Sequence, residues 1–189
     1  MENMLIRDAT VADIRALCVL RNSVAAHEAK LLEAERGTVR FLVAAAGDEI
    51  VGFATLFLAH PKTGPAKSHI PKLSDCFVAT NYRSRGIGRA LVSARESIAR
   101  LERHTRLFVS VDPVENPRWF DFFRRRGYTA LHAEPYRKRE RRHSKDGEIE
   151  EVLVWRQDLV VDLDGPAGHG SPADLLGCDG RPDGHRERG

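Results

Sequence analysis

The stretch LSDCFVATNYRSRGIGRALVSAR, residues 73–95, decides how this sequence folds. Its first residues predict a strand, a glycine-bearing turn follows, and apolar residues then recur at helical spacing over residues 87–101. A helix that begins directly after such a turn leaves backbone N–H groups unpaired at the positive end of its dipole. Phosphate groups bind well to such a helix start, so the stretch predicts an anion-binding turn.

The turn RSRGIG has the residues that close approach to an anion requires. Gly86 can take a positive φ, and a Cβ on Gly86 or Gly88 would hold a phosphate away from the backbone amides. Arg83, Arg85 and Arg89 can add charge-assisted hydrogen bonds. The turn is not a Walker loop, because no Gly-Lys-Ser/Thr follows, and it lacks the G-x-G-x-x-G spacing of a dinucleotide fingerprint. A plain helix start with solvated arginines is the alternative interpretation.

A second pattern lies one helix and one strand further along the chain. The stretch NPRWFDFFRRRGY, residues 116–128, places an Asn after a strand, aromatic residues six and seven positions on, and Gly-Tyr eleven and twelve positions on. In type and in order, the two patterns together resemble the GNAT superfamily of acetyl-CoA-dependent N-acetyltransferases. The order of the predicted elements is similar to that superfamily over about residues 4–160.

The rest of the body alternates between strand and helix patterns. Residues 41–46 and 49–59 predict an antiparallel hairpin, and the Asp146-Gly147 pair predicts a second one. In the long helix, the apolar spacing predicts that Leu101 faces the core and that Glu96 faces water. The resemblance implies an α/β GNAT acyl-CoA N-acyltransferase fold, in which a mostly antiparallel central sheet splays in its middle and has helices on both faces.

The composition changes abruptly at residue 165. The last 25 residues hold seven of the 15 glycines of the chain and three of its nine prolines. Such a segment buries too little apolar surface to offset the entropy of ordering it. We therefore expect residues 1–164 to form one domain and residues 165–189 to be a disordered tail, with a docking peptide through Leu175 and Leu176 as the alternative.

Charge and cysteine content limit the class of function. The chain of 189 residues has 30 Lys and Arg against 27 Asp and Glu, a net charge of +3, which does not favour a nucleic-acid partner. Its three scattered cysteines form no CxxC pair, so neither a disulfide scaffold nor a metal site is expected. Without a leader pattern or an apolar run long enough for a membrane span, we expect a cytoplasmic protein.

The resemblance implies a role for each motif residue. Phe77 and Val78 would pair through their backbone with the pantetheine arm of acetyl-CoA. Asn116 would hydrogen-bond the pantetheine, and Phe123 would lie near the thioester sulfur. The residues implied to hold the pyrophosphate form one run: Arg83, Ser84, Arg85, Gly86, Ile87, Gly88 and Arg89.

Phe123 departs from the superfamily pattern. Members commonly have Tyr there, and its hydroxyl can protonate the departing thiolate. A general acid typically supplies 10²–10⁴-fold, whereas positioning two bound reactants can supply about 7–11 kcal/mol. We therefore expect slower transfer rather than none. The alternative is a non-catalytic acyl-CoA-binding module, which Ser74 also favours because some amine acetyltransferases have Glu at that position.

Asp75 is the candidate general base. Some group must take a proton from the acceptor, because an amine of pKa near 10.4 is neutral in only about one molecule in 2,500 at pH 7. Asp75 lies on the strand just before the cofactor contacts. The alternative interpretations are a carboxylate paired with Arg or Lys and an anion that binds the substrate. Asp112 and Glu115, at the end of the next strand, are further candidates but are expected to be surface acids. His60 and His69 could relay protons but are expected to be solvated loop side chains.

The sequence and the resemblance together predict an N-acetyltransferase. It would move an acetyl group from acetyl-CoA directly to a primary amine of a small molecule or peptide, without a metal or a covalent enzyme intermediate. The basic stretch 136–145 predicts a solvated hairpin, but it could also dock an acidic protein, so a protein acetyltransferase is a further alternative. The resemblance also makes a homodimer through the closing strands possible.

Overall fold

The computed structural model describes residues 4–58, 69–143 and 149–164. The strands are β1 Met4–Asp8, β2 Val39–Ala46, β3 Glu49–Phe57, β4 Lys72–Val78, β5 Arg106–Val111, β6 Thr129–Ala130, β7 Tyr136–His143 and β8 Ile149–Asp162. The helices are α1 Ile14–Leu20, α2 Val24–Glu35, α3 Ile87–Leu101 and α4 Pro117–Arg125. His60, the turn at Asp146-Gly147 and the predicted tail 165–189 lie outside the described residues.

One sheet joins these strands in the order β1-β2-β3-β4-β5-β8-β6, and β7 pairs with β8. Every pair is antiparallel except β4 and β5. These two run parallel and pair only at Lys72 with Phe108 and Leu73 with Val109. Beyond that point they splay apart, which confirms the predicted mostly antiparallel sheet with an open middle.

Alternating residues of the central strands carry the core to both faces of the sheet. In β2, Phe41 and Val43 pack with α1 and α2, whereas Leu42 and Ala44 pack with α3. Phe123 of α4 joins α3 in a third cluster on the latter face. The period of two along a buried strand therefore places helices on both faces, as expected.

Two positions of α3 differ from the sequence prediction. Glu96, expected to face water, is 5% exposed and accepts a hydrogen bond from the Tyr128 hydroxyl at 3.0 Å and from Arg126 Nε at 3.2 Å. These partners compensate its burial, and they come from a distant part of the chain. Leu101, expected in the core, is 82% exposed because the packed part of the helix ends at Ala99.

A partly buried ion pair fixes the start of the first helical segment. The Arg7 guanidinium donates two hydrogen bonds to the Asp13 carboxylate, at 2.7 and 2.8 Å, and the Thr10 N–H donates a third at 2.8 Å. The hydrogen bonds from Arg7 lower the pKa of Asp13 to about 2, although burial opposes the shift. The folded state therefore favours the ionised carboxylate.

We expect Asp13→Asn to lower the free energy of unfolding by roughly 1–2 kcal/mol at pH 7, after allowance for the partly exposed Arg7. Because the folded pKa lies below that of the unfolded chain, this difference is complete above about pH 4 and disappears as the pH falls toward 2. Urea unfolding at pH 7, 4 and 2.5 measures it. Glu28→Gln, at an exposed position, is the control, and an equal effect of Asp13→Asn at all three pH values would contradict the assignment.

Candidate active site

Strand β4 contains a β-bulge just beyond its last pair with β5. Phe77 lies opposite Phe53 and Ser74 lies opposite Thr55, so two residues of β4 face a single residue of β3. One of the two, Asp75, has a φ of 44°. A bulge interrupts regular pairing and re-aims the neighbouring side chains. On the side that faces β5, the backbone beyond residue 73 has no strand partner within the described ranges.

The side chain of Arg95 holds this bulge in place from α3. Its Nη1 donates to the Ser74 carbonyl at 2.8 Å and to the Thr55 carbonyl at 3.0 Å, and its Nε donates to the Leu91 carbonyl at 3.0 Å. Arg95 is 1% exposed, and burial lowers its pKa. Sequence analysis did not identify it. The available signal was an arginine four positions after Leu91, on the apolar face of the helix.

The predicted anion-binding turn has the expected backbone. Gly86 precedes α3 with a φ of 82°, and Ser84 also has a positive φ, of 62°. The Ala90 N–H donates to the Gly86 carbonyl at 3.0 Å, so the N–H groups just before residue 90 precede the first turn of helical bonds. As the N-cap residue, Gly86 has no side chain that would cover them. This arrangement supports an anion at the helix start.

The other glycine of the turn has a structural reason of its own. A Cβ on Gly88 would lie 3.1 Å from two ring carbons of Trp119, a tight contact, whereas a Cβ on Gly86 would meet no described atom within 4 Å. Gly88 therefore lets the indole approach, in addition to the predicted access for a phosphate. Arg83 Nε donates to the Val78 carbonyl at 3.0 Å, and the Arg85 guanidinium lies 5.0 Å from the centre of the Tyr82 ring.

The residues of the second motif lie at α4. Asn116 is exposed at the start of this helix, where its carbonyl accepts the N–H groups of Trp119 and Phe120, both at 3.1 Å. Phe123 is 4% exposed and packs against Trp119 and Tyr128, with ring centres 5.8 and 5.0 Å away. The chain order of the motif therefore predicted the place of both Asn116 and Phe123 on one helix.

A cavity of about 450 Å³ opens where β4 and β5 separate. It is where the two motifs meet, because Ser74, Asp75, Asn116, Trp119 and Phe123 all line it. Five cationic side chains and three carboxylates also belong to its lining. The volume suits a small-molecule reactant.

Asp75 forms ion pairs at the mouth of this cavity. Its carboxylate lies 2.7 Å from Lys30 Nζ and 3.6 Å from Arg21 Nη1. Burial alone would raise the pKa of Asp75, but Lys30 and Arg21 outweigh it and hold that pKa below its ordinary value. The carboxylate is therefore ionised at neutral pH. Its role as a base stays a prediction.

The expectation that Asp112 is a surface acid is wrong. Asp112 is 3% exposed, and its Oδ1 accepts the N–H groups of Val114 at 2.9 Å and Glu115 at 2.8 Å. Its Oδ2 lies 3.4 Å from Arg156 Nη1, and the same guanidinium donates from Nε to Glu140 at 3.0 Å. The sequence could not show this, because Arg156 comes from the last strand.

A cluster of two hydroxyls around a buried carboxylate lies beside the cavity, and the sequence pattern did not reveal it. The hydroxyls of Ser110 and Tyr136 both donate to the carboxylate of Asp158, which is 1% exposed. Burial and the charge of Asp158 raise the pKa of Tyr136 to about 12. The sequence signal was a polar run, Arg156-Gln157-Asp158, between the apolar residues 152–155 and 159–161 of β8.

The splayed sheet and the uncovered helix start beside its opening form the arrangement that the resemblance to the GNAT superfamily implies. The model of the acetyltransferase (GNAT) family matches residues 11–128, and the chain belongs to this family. It is therefore an acyltransferase. No curated protein matches the sequence significantly.

Several solved structures share the fold. Ribosomal-protein-alanine N-acetyltransferase from Brucella melitensis has a TM-score of 0.66 and 21% identity, over 84% of this chain and 99% of that one. YncA, a putative acetyltransferase from Salmonella typhimurium with its cofactor acetyl-CoA, has a TM-score of 0.66 and 17% identity, over 90% and 98%. PaiA N-acetyltransferase from Thermoplasma acidophilum, in complex with coenzyme A, has a TM-score of 0.57 and 13% identity, over 82% and 98%.

Two further observations describe the same ranges of the chain. None of the described helices has the length and apolar character needed to cross a membrane. Among the described residues, no group of three or more His, Cys, Asp or Glu side chains is placed to hold a metal ion.

We expect Arg95→Met to lower the free energy of unfolding by about 2–4 kcal/mol, because two buried strand carbonyls lose their donor. Urea denaturation measures the change. Arg100→Met, at an exposed position of the same helix, is the matched control and should change stability by less than about 0.5 kcal/mol. Equal stabilities for the two variants would show that Arg95 does not hold the bulge.

Proposed function

We propose that this acyltransferase moves an acetyl group from acetyl-CoA directly to a primary amine of a small molecule or peptide. The observation that carries the proposal is the alignment of three features along β4: the anion-binding turn at Gly86, a stretch of backbone without a strand partner, and the cavity beyond it. The acetyl-CoA and coenzyme A in the Salmonella and Thermoplasma structures support it.

The residues present have the chemistry that the phosphate end of acetyl-CoA requires. Backbone N–H groups at the start of α3 and the exposed guanidinium groups beside them suit a pyrophosphate. We assign this end to the run identified from the sequence: Arg83, Ser84, Arg85, Gly86, Ile87, Gly88 and Arg89.

The pantetheine arm would lie along the unpaired side of β4. The backbones of Phe77 and Val78 would bind it there, and the side-chain amide of Asn116 would contact it from α4. When bound, acetyl-CoA supplies an acetyl group already activated as a thioester. Phe123 would enclose this end and keep water from it, since its ring is buried and offers no hydroxyl to donate a proton.

Asp75 is the proposed acceptor of the amine proton. Its carboxylate lines the cavity, and its side chain is 32% exposed, so an acceptor amine can reach it. The ion pairs keep it deprotonated, which a base must be, although a lowered pKa also makes it a weaker base. Proximity of amine and thioester within one cavity would supply the larger part of the rate.

We expect Gly88→Trp to abolish acetyl-CoA binding. An added indole would collide with Trp119 and cover the backbone N–H groups of the turn. For wild type, acetyl-CoA at 100 times its dissociation constant should stabilise the fold by about 2.7 kcal/mol, measured as a rise in Tm. Arg100→Trp adds the same side chain at an exposed site of α3 and should retain that rise. A folded Gly88→Trp variant that still responds to acetyl-CoA would refute the anion-binding turn.

We expect Asp75→Asn to lower kcat by about tenfold to 10²-fold, because the proton acceptor is lost. Acetyl-CoA affinity should stay unchanged, because Asp75 lies outside the assigned cofactor contacts. Release of coenzyme A with a reactive amine measures kcat, and titration calorimetry measures affinity. Asp48→Asn, in the exposed β2–β3 turn, is the control. A rate and pH profile equal to wild type would leave Asp75 as an ion-pair partner alone.

Acetyl-CoA binding without coenzyme A release from any amine would favour the non-catalytic acyl-CoA-binding module. Phe123 is the residue that motivates this second outcome, because it removes the common proton donor. Replacing it by Tyr would then test whether a hydroxyl restores turnover.

A further inference from the structure

We propose that the acceptor is a small amine that also carries an oxyanion, a carboxylate or phosphonate a few bonds from its amino group, and that Lys72 and Lys138 bind this anion. The inference rests on the proposed function, since it takes the cavity between β4 and β5 as the acceptor site. Both lysines line that cavity.

Lys72 lines the cavity where β4 and β5 are still paired, and within the described ranges it has no direct counter-ion. It is the first residue of β4 and pairs there with Phe108 of β5, the last place where the two strands remain together. Its Nζ lies 5.7 Å from the centre of the Phe108 ring. Among the described residues, no carboxylate oxygen lies within 4.0 Å of this ammonium. Burial, and then the charge of Lys138, lower the pKa of Lys72, as expected for a cation that lacks a partner.

The carboxylates near Lys72 are engaged elsewhere. Glu140 and Asp112 both contact Arg156, and Glu140 lies 3.8 Å from Lys138 Nζ, at the outer limit of an ion pair. Asp158 attracts Lys72 but accepts the hydroxyls of its own cluster. A ligand oxyanion is the group that would complete the coordination of Lys72.

The charged side chains that line the cavity have a net positive charge. The lining contains five cations and three carboxylates. One of the cations, Arg95, donates its observed hydrogen bonds to backbone carbonyls, so these bonds do not neutralise its charge. A positive environment disfavours the ammonium form of an acceptor and lowers the pKa of its amine. A negative charge on the acceptor offsets the electrostatic repulsion between its ammonium group and the cavity, whereas the further positive charges of a polyamine increase that repulsion.

The size of the cavity limits how far apart the two groups can be. A volume of about 450 Å³ must hold the acetyl thioester as well as the reacting amine and the anion of the acceptor. The acceptor class is therefore a small zwitterion, such as an amino acid or an aminoalkylphosphonate, rather than a protein side chain on a large surface.

Matched acceptor pairs test this assignment. Alanine is compared with alaninamide, and 2-aminoethylphosphonate with ethanolamine, by coenzyme A release at saturating acetyl-CoA. Each rate is expressed as kcat/KM, calculated from the concentration of the unprotonated amine. We expect each anionic acceptor to exceed its uncharged partner by at least about tenfold, the size of one charged hydrogen bond.

Variants then locate the anion. Lys72→Met and Lys138→Met should each reduce this preference by about tenfold, mainly through KM, and Lys72→Arg should restore most of it. Arg139→Met removes a cation from the neighbouring position of β7, outside the cavity lining, and should leave the preference unchanged. The four acceptors are also titrated by calorimetry into wild type and each variant, with the protein saturated with coenzyme A. Affinity is then measured even where turnover is slow.

The outcomes separate the two proposals. Turnover of amines with no preference for the anionic member, by rate or by affinity, overturns the anion site and leaves the acetyltransferase proposal intact. A preference that survives both Met variants also overturns the assignment to these lysines. Absence of acetyl-CoA binding together with absence of acceptor binding overturns both.

Discussion

The bridge from Arg95 to the carbonyls of Ser74 and Thr55 is the interaction on which the opening of the sheet depends. Two strands that separate expose backbone groups, and an unpaired buried carbonyl costs about 1–3 kcal/mol. A guanidinium can serve several carbonyls at once because its donors spread in a plane. By placing this group under the bulge, α3 supplies a donor to the Ser74 and Thr55 carbonyls where β4 leaves β5.

The parts of the structure that follow from local chemistry could be predicted from the sequence. The positive φ of Gly86, the start of α3 after it, the β2–β3 hairpin and the helix that begins after Asn116 each depend on a few neighbouring residues. The two motifs, together with the order of these elements, indicated the family. The two motifs were informative together because they occur in a fixed order, separated by one helix and one strand.

Charged residues whose partners are remote in sequence could not be assigned. An acid on a strand or helix has the same local pattern whether it faces water or a buried arginine. Glu96 depends on Arg126, Asp112 on Arg156, and Asp158 on hydroxyls from two other strands. In each case the partner is at least 30 positions away or on a strand that the local pattern cannot align. The same limit hid Lys72, because the sequence cannot show that the carboxylates near its ammonium, those of Glu140 and Asp158, contact Arg156 and the hydroxyl cluster instead.

The contact between Trp119 and Gly88 joins the two ends of the proposed cofactor site into a single body. The indole lies against the start of α3 and packs on Phe122 and Phe123 within α4. The separation between the phosphate end and the thioester end is therefore set by a packed ring rather than by a loop. Because such a site is already ordered in the folded protein, ligand binding costs little additional conformational entropy.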